Sequence, residues 1–386
     1  MKKVILYGAG YYGQKALKIY GERVAFFCDS RTWLKQVGRV SVIGLEELKK
    51  IHCDYDVVIT PIDARARSEI AGYLSNNNIP FVFFNVMDYL VHFWGKYPDI
   101  TYEYETGMFD YRTERLIELY MEMFRQYGEE FSEKNIEVWA YVCDEPLIAY
   151  DVLESMGLRY IHAYSTMYPI KNKVIPVPDY MTCFREDSYF YCDVAPIKCK
   201  EARLRRIEDN RAFWRGNLTN YRDRSLLYIL GKTYPKHLLV ESSAIGNNIP
   251  MTDQTKYRYL IDIRGLTWTD RVKILLQLGR PVLLVDRPYK EWYFDWLVPM
   301  KHYVPVKEDL SDLISQIDYM EAHPALYNEI VQNALEFSEK YLVGKPVLEY
   351  LKDTTLQYDV VSEIPNKKYS WNPELYRSGK LLWSEE

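Results

Sequence analysis

Short apolar strands alternating with amphipathic helices fill the first ninety-odd residues, and that alternation leaves few ways to fold. Val4–Gly8 (VILYG) precedes a helix through Ala16–Tyr20. VAFFCD at Val24–Asp29, a helix at Leu45–Lys50 and DVVIT at Asp56–Thr60 follow. A helix at Arg67–Leu74 and PFVFF at Pro80–Phe84 complete the series. Strands that are apolar at nearly every position are buried on both faces, which predicts a parallel sheet covered by helices. The polar, aromatic stretch Trp94–Thr106 marks the expected end of this unit.

The same grammar returns with more chemistry in Lys256–Leu313. Tyr257–Ile263 alternates as a strand, Gly265 turns, and a helix opens with Thr269, Asp270 and Arg271. Pro281–Val285 is a second apolar strand, and an aromatic-rich helix is expected from Glu291. A strand emptying through a tight turn into a helix N-terminus presents unpaired N–H groups and the positive end of the macrodipole. A diphosphate fits such a place. Arg264 and Arg271 bracket the turn. Farther along, Ser311–Glu321 and Ala325–Leu342 read as helices broken by Pro324, and Val347–Thr354 as another.

At 386 residues the chain has room for two or three domains of the usual ~100–200 residues. Hydrophobic residues make up 48% and charged residues 27%, which excludes a disordered chain. The formal charge of −5 gives no reason to expect a nucleic-acid partner. No apolar run approaches the ~20 residues a bilayer crossing needs. The six cysteines (28, 53, 143, 183, 192 and 199) form no CxxC pair, as expected of reduced thiols in a cytoplasm. Met1-Lys2-Lys3 leads straight into the first strand, so no signal peptide is expected. The basic run Lys198–Arg215 has two readings, a solvated helix face or a contact with anionic lipid or glycan. The 36 tyrosines suit carbohydrate surfaces and aromatic-rich cores alike.

Three motifs compete for the functional site. Gly8, Gly10 and Gly13 form a GxGxxG between a strand and a helix, with Asp29 ending the second strand where a ribose-binding carboxylate would stand. A nucleotide or nucleotide-sugar suits it, and so does an empty turn; its ligand stays unknown. Asp54-Tyr55-Asp56 matches a metal-holding DxD in letters, but it precedes a strand, on the wrong edge of a parallel sheet. No His/Cys/carboxylate cluster with metal spacing is evident, so no metal is expected. Asp144 follows the alternating strand Ile136–Val142, which comes after a long amphipathic helix at Thr113–Tyr127. A carboxylate there is placed to take the proton of an attacking hydroxyl, while arginines neutralise a departing diphosphate. Glu145 is the rival base, and capping a helix near Pro146 is the structural alternative for Asp144.

These residues carry a resemblance. YRYLIDIRG…TWTDRVKILLQLG…VLLVD…EWYFDWLVP…HYVPVKEDLSDL, with AFWRGN at Ala212–Asn217 and VCDEP at Val142–Pro146, closely resembles glycosyltransferase family 90 over residues 100 to 350. The resemblance implies a GT-B pair of Rossmann-like lobes and an inverting, metal-independent transfer from a UDP-sugar with no further cofactor. It makes Asp144 the general base, and Arg215 and Arg271 diphosphate ligands beside Gly216 and Arg264. Thr269 and Asp270 would line the turn, and Glu291 would contact the donor. The expected domains are 1–95, a small Rossmann-like unit; 96–205, the acceptor lobe; 206–345, the donor lobe; and 346–386, a C-terminal helix and tail. The expected acceptor is a lipopolysaccharide or capsule glycan or glycolipid, met in the cytoplasm or at the inner face of a membrane as a peripheral contact. Oligomeric state stays open. The competing reading is a nucleotide-sugar sensor or assembly subunit built around the GxGxxG unit.

Overall fold

The computed structural model describes residues 2–31, 33–61, 64–84, 90–104, 110–142, 158–167, 173–182, 195–218, 222–243, 249–265, 268–364, 369–371 and 383–385. The first unit runs β1 (Lys3–Tyr7), α1 (Tyr11–Tyr20), β2 (Val24–Cys28), β3 (Gln36–Val37), β4 (Val40–Ile43), α2 (Leu45–Ile51), β5 (Tyr55–Ile59), α3 (Ala64–Asn76) and β6 (Phe81–Phe83). The sheet order is β3-β4-β2-β1-β5-β6, parallel apart from the β3/β4 pairing. Alternation divides the strand side chains between two faces. Ile5, Tyr7, Val57 and Ile59 pack with Ile43, Leu48 and Leu74 in one core. Val4, Leu6 and Val58 point the other way, into a larger core shared with the next unit.

That next unit contains β7 (Leu90–Lys96), β8 (Thr101–Tyr104), α4 (Asp110–Gln126), β9 (Asn135–Tyr141), β10 (Ile161–Ala163), β11 (Ser165–Met167) and β12 (Val174–Pro176). Its sheet order is β12-β10-β9-β7-β8, with β9, β10 and β12 parallel and the β7–β8 hairpin antiparallel. Within the expected boundary stretch, Trp94–Tyr104 belongs to this second sheet, so the boundary expected after residue 95 moves ahead of Leu90. The polar, aromatic composition that suggested the end of a unit belongs to strands packed on two faces. Phe93 stacks on Tyr120 of α4 at 4.6 Å, and His92 stacks on Trp139 of β9 at 3.9 Å.

The third unit follows α5 (Pro196–Ala202). It comprises β13 (Asp209–Gly216), α6 (Arg222–Thr233), β14 (Leu238–Ser242), β15 (Tyr257–Asp262), α7 (Val272–Leu275), β16 (Val282–Val285), β17 (Tyr289–Glu291) and β18 (Val304–Val306). β14-β13-β15-β16-β18 form an all-parallel sheet, with α8 (Leu313–Ala322) and α9 (Pro324–Tyr341) after it. α10 (Lys345–Tyr358) then packs against α4, and β19 (Val360–Val361) pairs with β9. The expected C-terminal helix is present, and residues 345–361 close onto the second unit. Buried Asp359 anchors it: His162 Nε2 lies 2.9 Å from Asp359 Oδ2, and the other ring nitrogen is 2.5 Å from the Tyr120 hydroxyl.

Among the described residues the architecture is α/β, a GT-B-like pair of units, one with a mixed and one with a parallel sheet, preceded by a smaller Rossmann-like one. Two local expectations differ. The helix after Arg271 is a single turn, Val272–Leu275. No helix starts at Glu291; β17 ends there, and a 3-10 turn holds Phe294–Trp296. Glu291 pairs across to Ser165 of β11, a long-range strand contact that local periodicity does not reveal.

Candidate functional site

Topology brings two sheet edges to one seam. β11 follows β10, β17 follows β16, and β11 and β17 pair antiparallel. β9 runs parallel to β10, so its carboxyl end opens to that same seam. Carboxyl edges of parallel sheets are where ligands gather. Asp144 and Glu145 lie outside the described residues; β9 ends at Tyr141, shortly before them.

On the facing edge, Asp262 ends β15 with no exposure to solvent. It accepts hydrogen bonds from the Thr269 hydroxyl at 2.9 and 3.0 Å and pairs closely with Arg287. Arg271 Nε stands 4.0 Å away. Arg224, from α6, donates to the carbonyls of Arg264 (2.8 Å), Asn217 (3.1 Å) and Ile263 (3.3 Å), with its plane over the Trp214 ring. Arg271 Nη1 donates to the Arg215 carbonyl at 3.1 Å. The arginines strap the ends of β13 and β15 together and share one buried carboxylate.

Burial lowers the Arg224 pKa to about 10, and repulsion from Arg271 adds to it. Burial likewise pulls Arg271 below its usual range, against the opposing pull of Asp262 and Asp270. Three buried guanidiniums (Arg224, Arg271 and Arg287) meet one fully buried carboxylate and the half-buried Asp270. Buried charge is costly unless it is paired, which makes this edge a candidate place for an anion.

Arg215 and Arg264 are as little exposed as Arg271, and each brings a carboxylate of its own. Arg215 pairs with Glu241 at 2.8 Å, and Arg264 pairs with Glu308 at 3.4 Å beneath the Tyr289 ring. Gly216 has a steric reason: a Cβ there would meet the Trp214 ring at 2.6 Å. Next to Arg287, a cavity of about 390 Å³ opens at the ends of β16 and β18, with Asp286, Lys290, Tyr303 and Lys307 in its lining. Of the expected residues, Arg215, Gly216, Arg264, Thr269, Asp270 and Arg271 converge on this edge. Asp262, Arg224 and Arg287 are functional candidates that the sequence reading did not single out. Their signal was position, since Asp262 and Arg287 stand at or just past strand ends, as Arg264 does.

Glu291 sits deeper, at the seam itself. Burial raises its pKa well above the carboxylate range, with Lys273 pulling the other way. Lys273 itself donates to Asp179 at 2.6 Å, tying α7 to the second unit. A neutral Glu291 is a hydrogen-bond donor as well as an acceptor.

The N-terminal turn is built differently. Gly8 has φ +106, and its N–H donates to the Cys28 carbonyl at 2.8 Å. A Cβ on Gly13 would fall 1.9 Å from the Gly8 carbonyl oxygen, whereas one on Gly10 would meet nothing. Asp29 accepts from the Ala9 N–H at 2.8 Å and from both arms of Arg31 at 2.8 and 2.7 Å. Burial works to raise its pKa, but Arg31 and the Ala9 N–H outweigh it and hold it at about 2. Asp54 and Asp56 lie at the amino end of β5, away from this turn's ligand side.

Residues 197–368 match the model of Glycosyl transferase family 90. Uncharacterized protein 179R of Invertebrate iridescent virus 6 is 34% identical over 134 residues, spanning 32% of this chain and 11% of that protein. Protein O-glucosyltransferase 1 of Rattus norvegicus is 27% identical over 167 residues, spanning 39% of this chain and 42% of the relative. The chain thus covers less than half the length of these relatives. The crystal structure of Anabaena Alr3699/HepE in complex with UDP aligns with 92% of this chain and 100% of its own at 10% identity. The TM-score of that superposition is 0.33. No helix among the described residues is long and apolar enough to cross a membrane. The resemblance is borne out over residues 197–368, which match the model of that family.

Proposed function

We propose that the protein is an inverting glycosyltransferase that moves a sugar from a UDP-sugar to a hydroxyl of a glycan or glycolipid acceptor, in the cytoplasm or at its membrane face. The observation that carries this reading is the set of buried guanidiniums around Asp262, at an edge that shares its seam with the carboxyl end of β9. The acceptor oxygen attacks the anomeric carbon, Asp144 takes the hydroxyl proton, and the bond to the diphosphate oxygen breaks. UDP leaves with its charge taken up by Arg271, Arg287 and Arg215. These guanidiniums occupy the role a divalent ion would play, so the transfer is read as metal-independent and free of other cofactors. The N-terminal turn is read as a separate site, with Gly8, Gly10, Gly13 and Asp29 shaping it.

The names of the relatives favour a second acceptor, a protein hydroxyl, as in Protein O-glucosyltransferase 1. UDP release from UDP-glucose, UDP-galactose and UDP-xylose tests both, with crude lipopolysaccharide or a peptide bearing serine as acceptor. Acceptor-dependent release identifies the class. Tight UDP binding with no release under any condition would instead make the chain a nucleotide-sugar sensor.

A further inference from the structure

We infer that Lys273 and Asp179 form a positioning pair, through which the second unit shapes the turn Thr269–Arg271 and so sets the affinity for UDP. This rests on the glycosyltransferase reading, which assigns that turn to the donor diphosphate. Asp179 lies just past the end of β12 and Lys273 lies on α7, and both are buried. Lys273 Nζ donates to Asp179 Oδ2 at 2.6 Å and to the Asp270 carbonyl at 3.0 Å. One ammonium thus grips a side chain of the second unit and the backbone of the third, at the middle residue of the turn.

Both ends of the pair are fixed. Asp179 Oδ1 accepts the Met181 N–H at 2.6 Å, and the Asp179 carbonyl accepts the Thr182 N–H at 2.9 Å. On the other side, the Thr269 hydroxyl donates to Asp262 and Arg271 donates to the Arg215 carbonyl. Asp270, whose carbonyl Lys273 holds, therefore stands between two residues of the cationic edge. Rings close the same seam. The Trp268 ring centre lies 5.7 Å from that of Tyr164, which lies 5.7 Å from that of Tyr180. The Lys273 ammonium stands 5.5 Å from the Trp268 ring centre.

The alternative is a pair that only joins the units. The β11–β17 pairing and the rings already join them, and a buried ion pair adds little stability over apolar residues of similar volume. What an ammonium adds is geometry, since it holds a carboxylate and a carbonyl at fixed distances from one point. Burial works to lower the Lys273 pKa, but Asp179, Glu291 and Asp270 outweigh it and raise it, so the group stays charged. Without Asp179 the ammonium loses its carboxylate, and the Asp270 carbonyl loses a fixed anchor. Coupling between two such places shifts affinity by roughly 5- to 150-fold.

The test is calorimetric titration of UDP into the full chain, with thermal unfolding alongside. D179N and K273M should each weaken UDP binding at least about fivefold, the low end of such couplings. Each should also be less stable, because each leaves half of a buried pair. The double variant D179N/K273M buries no orphaned charge, so much of its melting temperature should return while its UDP affinity stays low. D359N breaks the His162–Asp359 pair, which does not reach the turn, and should lower stability with UDP affinity unchanged. A double variant whose affinity recovers with its stability would overturn the inference, as would a D359N chain that loses as much affinity as D179N. Equal UDP binding by wild type and D179N would overturn this inference alone. No UDP binding by the wild type would overturn it together with the reading it rests on.

Discussion

Two turns in this chain follow a parallel strand and lead into a helix with an arginine alongside, yet their charges are settled differently. At the N-terminal turn, Asp29 takes the Ala9 N–H and both arms of Arg31, so one carboxylate answers one guanidinium. At the end of β15, Asp262 faces Arg287 and Arg271, with Arg224 behind them held only by carbonyls and a ring. The first turn has the better-known motif and a one-to-one pairing; the second has no glycine-rich motif and gathers Arg287 and Arg271 around one buried carboxylate. A glycine pattern reports what the backbone needs in order to turn. A charge imbalance in a desolvated place reports what the protein expects to bind.

The strongest way to break this comparison is to remove the base that the cationic edge is supposed to serve. Asp144→Asn should slow transfer by a factor on the order of 100–10,000, the range for a positioned acid-base group, while UDP still binds. Transfer close to wild type would detach the edge from the proposed reaction. Asp262→Asn comes next, since it leaves Arg287 and Arg271 buried without their carboxylate. A loss of about 3–5 kcal/mol is expected, the usual cost of breaking a buried pair. Thermal unfolding measures it, and added UDP should sharpen the result by making the variant less stable without ligand yet still responsive to it. A variant as stable as wild type would show that Asp262 is not the keystone of the cluster.

Arg271→Ala contrasts the two turns directly. A charge-assisted hydrogen bond is worth about 1.5–3 kcal/mol, so UDP affinity should fall roughly 10- to 100-fold by calorimetry. Arg31→Ala should leave it unchanged. Equal effects of the two changes would mean that UDP does not distinguish the sites.

Two strands of the third sheet, β15 and β16, were legible because each is a short apolar run bounded by glycine or charge, and the arginines were legible as strand-end residues; β14 and β18 were not read. Asp262 and Arg287 were not, because a charged residue at a strand end is ordinarily solvated. Only the pairing of β15 with β16 buries them together. The helix expected from Glu291 failed for a related reason. Trp292, Tyr293, Phe294 and Trp296 have the apolar density of a helix, but Glu291 is claimed by Ser165 from another unit. The boundary expected at Trp94–Thr106 failed over Trp94–Tyr104 because Trp94 and Tyr102 belong to a hairpin of the second sheet and pack on the rings of His92 and Phe93, contacts no one-dimensional pattern displays.

The smallest effect tests the balanced turn. Asp29 is held at about 2 in the folded chain against an ordinary 3.8, by Arg31 and the Ala9 N–H working against burial. A carboxylate with a lowered folded pKa contributes stability in full above its unfolded value and loses it as pH falls toward the folded one. The contribution should therefore be present at neutral pH and fade between about pH 4 and 2. Arg31 is 42% exposed, so solvent screens the pair and the effect stays modest. Asp29→Asn should lower the melting temperature slightly at neutral pH and flatten its fall in that acid window. A variant whose acid limb follows the wild type would mean that the Asp29–Arg31 pair does not hold the glycine turn. The N-terminal site would then no longer count as charge-satisfied, and the contrast with the β15 edge would lose one of its two sides.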